Sequence, residues 1–300
     1  MKMLVNRQPV AGPWGGGNNF IKALFEFGPK HGFEPVTKFD NNIDLIFVMD
    51  PRYDDLGISI NEVASYKKIF PKTKVVYRIN ECDKRKGDVG VIDPAINRMS
   101  HVADLCVFIS QWIKDYHVDA SWNCTNNQIV YSGVNKEHFV PLKTNRNKIS
   151  IVTHHWSDNY MKGQDIYEKI DDWVGKNSDY DFTYIGRTKA KLKNTTIINP
   201  TFGIDLGKAL TDHDVYISAS RFDPGPNHII ESLACEIPTY AHSESGGAAE
   251  MVGLDHIYQN FDDLIKLFEA KAFKNNSVFK PSSWEECMDQ YFYHIKKLYN

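Results

Sequence analysis

No two cysteines of this 300-residue sequence stand at C-x-x-C spacing. Cys82, Cys106, Cys124, Cys235 and Cys287 are scattered and odd in number. That argues against a zinc ribbon or a disulfide framework and predicts reduced thiols in a cytosolic protein. No apolar run approaches the ~20 residues of a membrane span, and the apolar run of the N-terminal segment MKMLVNRQPVAGPW is too short for a signal peptide. The expectation is a soluble, cytoplasmic protein, with peripheral membrane contact left open. An excess of basic charge is missing too: the formal net charge is −3, which gives no support for nucleic acid as a partner. The glycines follow neither G-x-G-x-x-G nor a G-K-[ST] ending, so neither a dinucleotide fingerprint nor a P-loop is supported. There is no internal repeat and no low-complexity segment.

The sequence does contain ordinary globular material, 42% hydrophobic and 24% charged. It is long enough for two domains of roughly 140 residues, each with a core. Short apolar runs alternate with helical patterns, the mark of parallel sheets built from strand-helix-strand units. In the first half the predicted strands are 3–5, 43–49, 74–79, 105–109 and 128–130, with helices over 18–31, 59–70, 94–102 and 111–117. The polar, proline-containing stretch HFVPLKTNRNK lacks periodicity and marks a boundary. After it come strands 149–153, 182–185, 215–218, 239–241 and 256–258. Helices are predicted over 165–174, 204–212, 227–235 and 261–271, with a last one over 284–299. The expected domains are 1–140 and 148–282, followed by a terminal helical segment, 283–300.

The densest pattern is ISASRFDPGPNHIIESLACEIPTYAHSESGGAAE. A strand runs into a turn of Pro224, Gly225, Pro226 and Asn227, after which Ile229, Ile230, Leu233 and Ala234 repeat at helical spacing. Such a junction suits a phosphate, because N–H groups without intrahelical partners and the positive end of the dipole both face out of the helix start. Asp223 and Glu231 flank the turn, where carboxylates reach sugar hydroxyls. This is equipment for a nucleotide sugar.

The series Asp223, Glu231, Pro238, Gly246, Gly247 and Glu250 resembles the motif of family-4 retaining glycosyltransferases of the GT-B fold. Here Asp223 replaces the usual Glu, and Pro224 to His228 replaces a Phe-Gly turn. The resemblance implies two Rossmann-like domains with parallel sheets facing a cleft and a C-terminal helix that crosses back to the first domain. It also implies an N-terminal glycine loop over the donor, which Gly15, Gly16 and Gly17 would form ahead of Asn18 as a helix cap, with Trp14 beside them. Past strand 74–79, VVYRINECDKRK offers Arg78, Asn80 and Asp83 as acceptor-side candidates, without the His common in that loop. YSGVNKEHF is similar to the segment leading out of the first domain, and IVTHHWSDNYMKG to the opening of the second, with Lys162-Gly163 matching and Ser157 where an Arg is usual. Lys162 is the expected counter-charge for the diphosphate, with Arg187 a substitute for the missing cation. Phe202, Pro226, Asn227 and His228 complete the donor side.

His154 and His155, being adjacent, point to opposite faces of a strand, poor geometry for a shared metal. Asp54-Asp55 and Asp171-Asp172 have only a superficial likeness to metal-binding Asp-x-Asp sites. The resemblance therefore implies a metal-independent, retaining hexosyltransferase without a cofactor. Its donor would be a UDP- or GDP-sugar and its acceptor a saccharide, a lipid-linked saccharide, a protein or a small molecule. Glu231 would hold the ribose, Asp223 the sugar hydroxyls, and Lys162 the departing diphosphate. The alternatives are a nucleotide-sugar epimerase or hydrolase of the same fold, and a non-catalytic nucleotide-sugar binder. A Rossmann-type oxidoreductase ranks last for want of the glycine fingerprint.

Overall fold

Parallel strands buried on both faces show near-continuous apolar runs rather than alternation, and LIFV at 45–48 is such a run. A computed structural model describes residues 1–12, 15–52, 58–142 and 146–300. By its contacts the chain divides into two units, Met1–Gly133 with Trp284–Asn300, and Val134–Ser283.

In the first unit the strands are β1 (Lys2–Val5), β2 (Glu34–Val36), β3 (Leu45–Val48), β4 (Lys74–Ile79), β5 (Leu105–Phe108) and β6 (Asn127–Ile129). All pair in parallel, in the order β2-β1-β3-β4-β5-β6. The helices are α1 (Gly15–Phe27), α2 (Ile60–Ile69), α3 (Asp93–Ser100) and α4 (Gln111–His117). Successive residues of β3 feed opposite cores, as a pleated strand requires: Ile46 and Val48 pack with Val63, Ile96 and Met99, whereas Leu45 and Phe47 pack with Phe20 and Leu24. Local signals set the ends. Ser59 and Glu62 form a capping box on α2, and Ser110 caps α4.

The second unit holds β7 (Ile149–His155), β8 (Tyr180–Gly186), β9 (Thr196–Ile198), β10 (Val215–Ser218), β11 (Thr239–His242) and β12 (Ile257–Tyr258). Their order is β12-β11-β10-β7-β8-β9, again parallel throughout. The helices are α5 (Gln164–Val174), α6 (Gly203–Thr211), α7 (Asn227–Ala234), α8 (Ala248–Val252) and α9 (Phe261–Ala270). One face is covered by Ile166 and Ile170 of α5 and by Leu264 and Phe268 of α9. The last helix, α10 (Trp284–Lys296), returns to the first unit, where Cys287, Met288, Tyr291, Phe292 and Ile295 are fully buried against α1 and the sheet.

Strand order decides where ligands go. In open parallel sheets they bind beyond the carboxyl ends of the strands where the order reverses. Those points lie between β1 and β3 in one unit and between β7 and β10 in the other.

Three expectations need correction. The edge strands β2 and β9 and the short α8 escape the sequence reading. The glycines Gly15, Gly16 and Gly17 form the first turn of α1 rather than a loop. Asn18 is not a cap: it lies within α1, and its side chain exchanges two hydrogen bonds with the Val10 backbone, each 2.8 Å. No helix among the described residues is long and apolar enough to cross a membrane. All five cysteines are buried free thiols.

Candidate functional site

The residues that converge in the second unit come from the loops after β7 and β10. Beyond β7 the chain makes a short 3-10 turn, Tyr160–Lys162, and enters α5 through Gly163 at φ 84°. Only glycine suits this place. A Cβ there would lie 2.2 Å from the carbonyl oxygen of Ala219, so the two loops touch through bare backbone. The contact continues as Arg221 N donates to Met161 O at 2.8 Å, and the Arg221 guanidinium grips both oxygens of Asp165 at 2.9 and 2.8 Å. That clamp holds the Asp165 carboxyl below its ordinary range, chiefly through the Arg221 hydrogen bonds.

The clamp brings the Lys162 Nζ to 2.5 Å from Asp223 Oδ2 with both side chains largely buried. Asp223 is itself fixed by backbone: its N–H donates to Ser245 O at 3.2 Å and its carbonyl accepts from Gly247 N at 2.9 Å. Phe222, just before it, takes φ 52°, a region that bulky residues seldom enter and that marks a constrained turn.

Glu231 lies on α7, one turn past the helix start, and its carboxylate meets His154 Nε2 at 2.8 Å. His155 turns elsewhere, with its Nε2 2.7 Å from the Tyr167 hydroxyl. Burial first, then the neighbouring His228 and Lys162, hold the His155 imidazole well below its usual range. The two adjacent rings thus have separate partners. Among the described residues no group of three or more His, Cys, Asp or Glu side chains is arranged to hold a metal ion.

The start of α7 has Pro226 at the N-cap and no side-chain cap. The first N–H groups of a helix have no carbonyl partner four residues back, and the positive end of the dipole lies there, which suits an anion. His228 points inward, its Nε2 2.8 Å from Ser218 Oγ, so what it can offer a ligand is backbone. The hydroxyls of Ser220 and Ser245, on either side of Asp223, are buried and have no hydrogen-bond partner among the described residues.

Of the predicted residues, Lys162, Asp223, Glu231, Pro226, Asn227 and His228 therefore come together at the β7/β10 switch. Arg187 does not join them through any described ion pair: it is exposed and stacks on Trp156 at 4.1 Å. Phe202 stands 57% exposed at the cap of α6.

In the first unit the acceptor-side set divides. Asn80 lines a cavity at the ends of β1, β3 and β4, together with Gly17. Arg78 does not: its side chain is buried on the α1 and α10 face of the sheet, donating to Ser132 Oγ at 3.1 Å and lying 4.2 Å from the Phe20 ring centre. Asp83 is a turn former. Its carboxylate accepts from Val91 and Ile92 N–H at 2.9 and 2.7 Å; burial raises its pKa, but these donors outweigh that and leave it lowered. Trp14 and the Asp54-Asp55 pair lie outside the described residues.

Two features were not expected from sequence: the pairing of His154 with Glu231, and the Arg221–Asp165 clamp. Both unite residues distant in the chain. The one available signal was that His154 stands near the carboxyl end of the first strand of its sheet.

No protein-family model matches the chain, and no curated protein matches it in sequence. Several solved structures are similar in fold. A sucrose-phosphate synthase from Thermosynechococcus elongatus matches with a TM-score of 0.70 at 13% identity, over 99% of this chain and 98% of that one. Anabaena HepE, solved with UDP and glucose, also gives 0.70 at 13% identity, over 98% and 99% of the two chains. A UDP-forming α,α-trehalose-phosphate synthase from Burkholderia xenovorans gives 0.58 at 11% identity, over 87% of this chain and 75% of that one. The fold is GT-B, with two parallel six-stranded α/β units and a terminal helix that returns to the first.

Proposed function

We propose that this chain is a glycosyltransferase that moves a hexosyl group from a nucleoside diphosphate sugar to an acceptor hydroxyl, with retention of configuration and without a metal ion. The observation that carries the reading is the convergence, at one switch point, of a buried Lys162–Asp223 pair, a His154–Glu231 pair and an uncapped helix start. In this reading Glu231 takes the ribose hydroxyls and Asp223 those of the transferred sugar. Lys162 and the first N–H groups of α7 receive the diphosphate. Breaking the bond between the anomeric carbon and the β-phosphate oxygen leaves negative charge on that oxygen, and fixed cationic and N–H donors stabilise it as it develops. The new bond forms from the acceptor oxygen, whose proton passes to the departing phosphate. HepE, of the same fold, was solved with UDP-glucose, which favours a UDP-sugar as the donor to try first. The buried free thiols suit a cytosolic setting.

The test is thermal unfolding with UDP, GDP and their glucose conjugates, then transfer with and without EDTA. Ligand at ~100 times its Kd stabilises by about 2.7 kcal/mol. The expected result is a shift with one nucleotide series, and turnover that survives chelation. No shift with any nucleotide would remove the donor reading. Activity lost to EDTA and restored by Mn²⁺ or Mg²⁺ would remove metal independence, and donor breakdown without an acceptor would point to a hydrolase or epimerase.

A further inference from the structure

The Lys162–Asp223 pair joins two loops, and a buried hydroxyl fastens the strand ends from which those loops leave. Tyr167 stands on α5, one turn beyond Gly163, and is fully buried. Its oxygen accepts from Ala219 N at 2.9 Å and from Thr153 Oγ1 at 3.0 Å, and lies 2.7 Å from His155 Nε2. A phenol oxygen has two lone pairs and one proton, so three partners use all of its capacity. Burial pushes the phenol pKa up, which keeps the group a neutral hydroxyl. The ring alone would fill this place in the apolar cluster with Ile151, Phe182 and Ile217. The hydroxyl has a separate task.

That task is visible at Ala219. Parallel pairing between β7 and β10 is recorded at Val215 with Ile151 and at Tyr216 with Val152, three residues short of Ala219. Past that point the Tyr167 hydroxyl bridges the two strand ends, taking Thr153 and His155 from one and Ala219 from the other. The Ala219 carbonyl oxygen is the atom that a Cβ on Gly163 would approach to 2.2 Å, and Arg221 N donates to Met161 O at 2.8 Å. The backbone over 219–221 is thus laid along 161–163, which carries Lys162, and Asp223 follows two residues later.

From this geometry we infer that Tyr167 is a positioning residue, whose hydroxyl, held by Thr153 and His155, sets Lys162 and Asp223 in contact. That the pair serves a departing diphosphate rests on the transferase reading; the hold of Tyr167 on the pair does not.

Competitive acylation of lysine amines with acetic anhydride, read by mass spectrometry on the full chain, follows the pair without any substrate. Lys162 is 12% exposed and paired, so it is expected to react slowly. Tyr167→Phe keeps the ring and removes the hydroxyl. Well below its own unfolding midpoint, it should raise the Lys162 rate about fivefold or more while amide exchange in β11 and α9 of the same unit stays within about twofold. General loosening would speed all three together. His155→Gln leaves the hydroxyl a polar partner and His155→Leu does not, so the leucine variant should raise the Lys162 rate and the glutamine variant should hold it near the unmodified value. These two variants decide the matter if Tyr167→Phe does not fold. In the transfer assay Tyr167→Phe should lower kcat about tenfold or more with a smaller change in donor KM, because the pair acts on charge that appears as the bond breaks. An unchanged Lys162 rate in folded Tyr167→Phe, a rise matched in β11 and α9, or equal rates in the two His155 variants would overturn the inference. A selective rise in the Lys162 rate, with no turnover by the unmodified protein, would sustain the positioning role and defeat the transferase reading alone.

Discussion

Glu231 joins two requirements in one side chain. Its carboxylate is held by His154 at 2.8 Å, and it is the group proposed to take the ribose. Glu231→Ala is expected to weaken nucleoside diphosphate binding by about 1.5–3 kcal/mol, the worth of a hydrogen bond to a charged group, and to leave His154 without its partner. Glu231→Gln keeps an acceptor for the imidazole, so its unfolding midpoint should lie nearer the native value while affinity stays low. Calorimetry decides, and unchanged affinity in the alanine variant would remove the ribose role. Lys162 sets a different test. With Lys162 12% and Asp223 7% exposed, Lys162→Met strips a buried carboxylate of its cation and should destabilise by about 3 kcal/mol, far more than loss of a surface lysine. Adding Asp223→Asn should recover much of that stability, since the two groups are coupled, without restoring transfer. Additive losses in the double variant would mean that the pair is not an energetic unit.

At the scale of elements, the turn after β10 is held by its side-chain pairs and also by the close approach of a glycine from the loop after β11. Gly246 takes φ 74°, and a Cβ on it would lie 2.6 Å from the Asp223 carbonyl oxygen, inside the bridge that fixes Asp223. Gly246→Ala should therefore lower stability by about 1–3 kcal/mol or more and reduce donor affinity with it. The glycines of α1 predict the opposite. Gly17 is helical with open space around it, so Gly17→Ala should stabilise by up to about 1 kcal/mol through helix propensity. Thermal unfolding of the two variants tests the contrast. A destabilised Gly17→Ala would show that the backbone there is constrained in the manner of a loop.

Across the whole molecule, burial keeps a set of histidines neutral. His31, His117, His155, His213, His242 and His294 are all lowered below the ordinary 6.5, with burial the largest cause for each. The unfolded chain then binds more protons than the native one below about pH 6.5, so stability is full above that value and falls as the pH drops toward the native-state pKa values. The lowered carboxylates, Asp83, Asp165 and Asp171 among them, act below 3.8 and do not contribute to this window. Each histidine adds up to about 1.4 kcal/mol per pH unit. Scanning calorimetry from pH 8 to 5 should show the midpoint falling below about 6.5, with uptake of more than one proton on unfolding. A midpoint that stays level to pH 5.5 would contradict this.

Much of this architecture is legible in the residues themselves. Apolar runs such as KVVYRI and VYIS become β4 and β10 at the expected bounds, because a strand buried on both faces needs no partner to declare it. Capping serines fix α2 and α4 for the same local reason, and Asp223, Glu231 and Lys162-Gly163 stand out as a motif. The brief edge strands and Asn18 are different. A three-residue strand such as β2 exists only through its pairing with β1, and Asn18 serves Val10 rather than its own helix. The site divides in the same way. Sequence determined which residue types stand beside a strand-to-helix turn. Only the tertiary structure decided that Lys162 meets Asp223, that His154 holds Glu231, and that Arg78 is buried while Asn80 lines a cavity. Those outcomes depend on strand order and on contacts between loops far apart in the chain, and neither leaves a periodic trace in the amino-acid string.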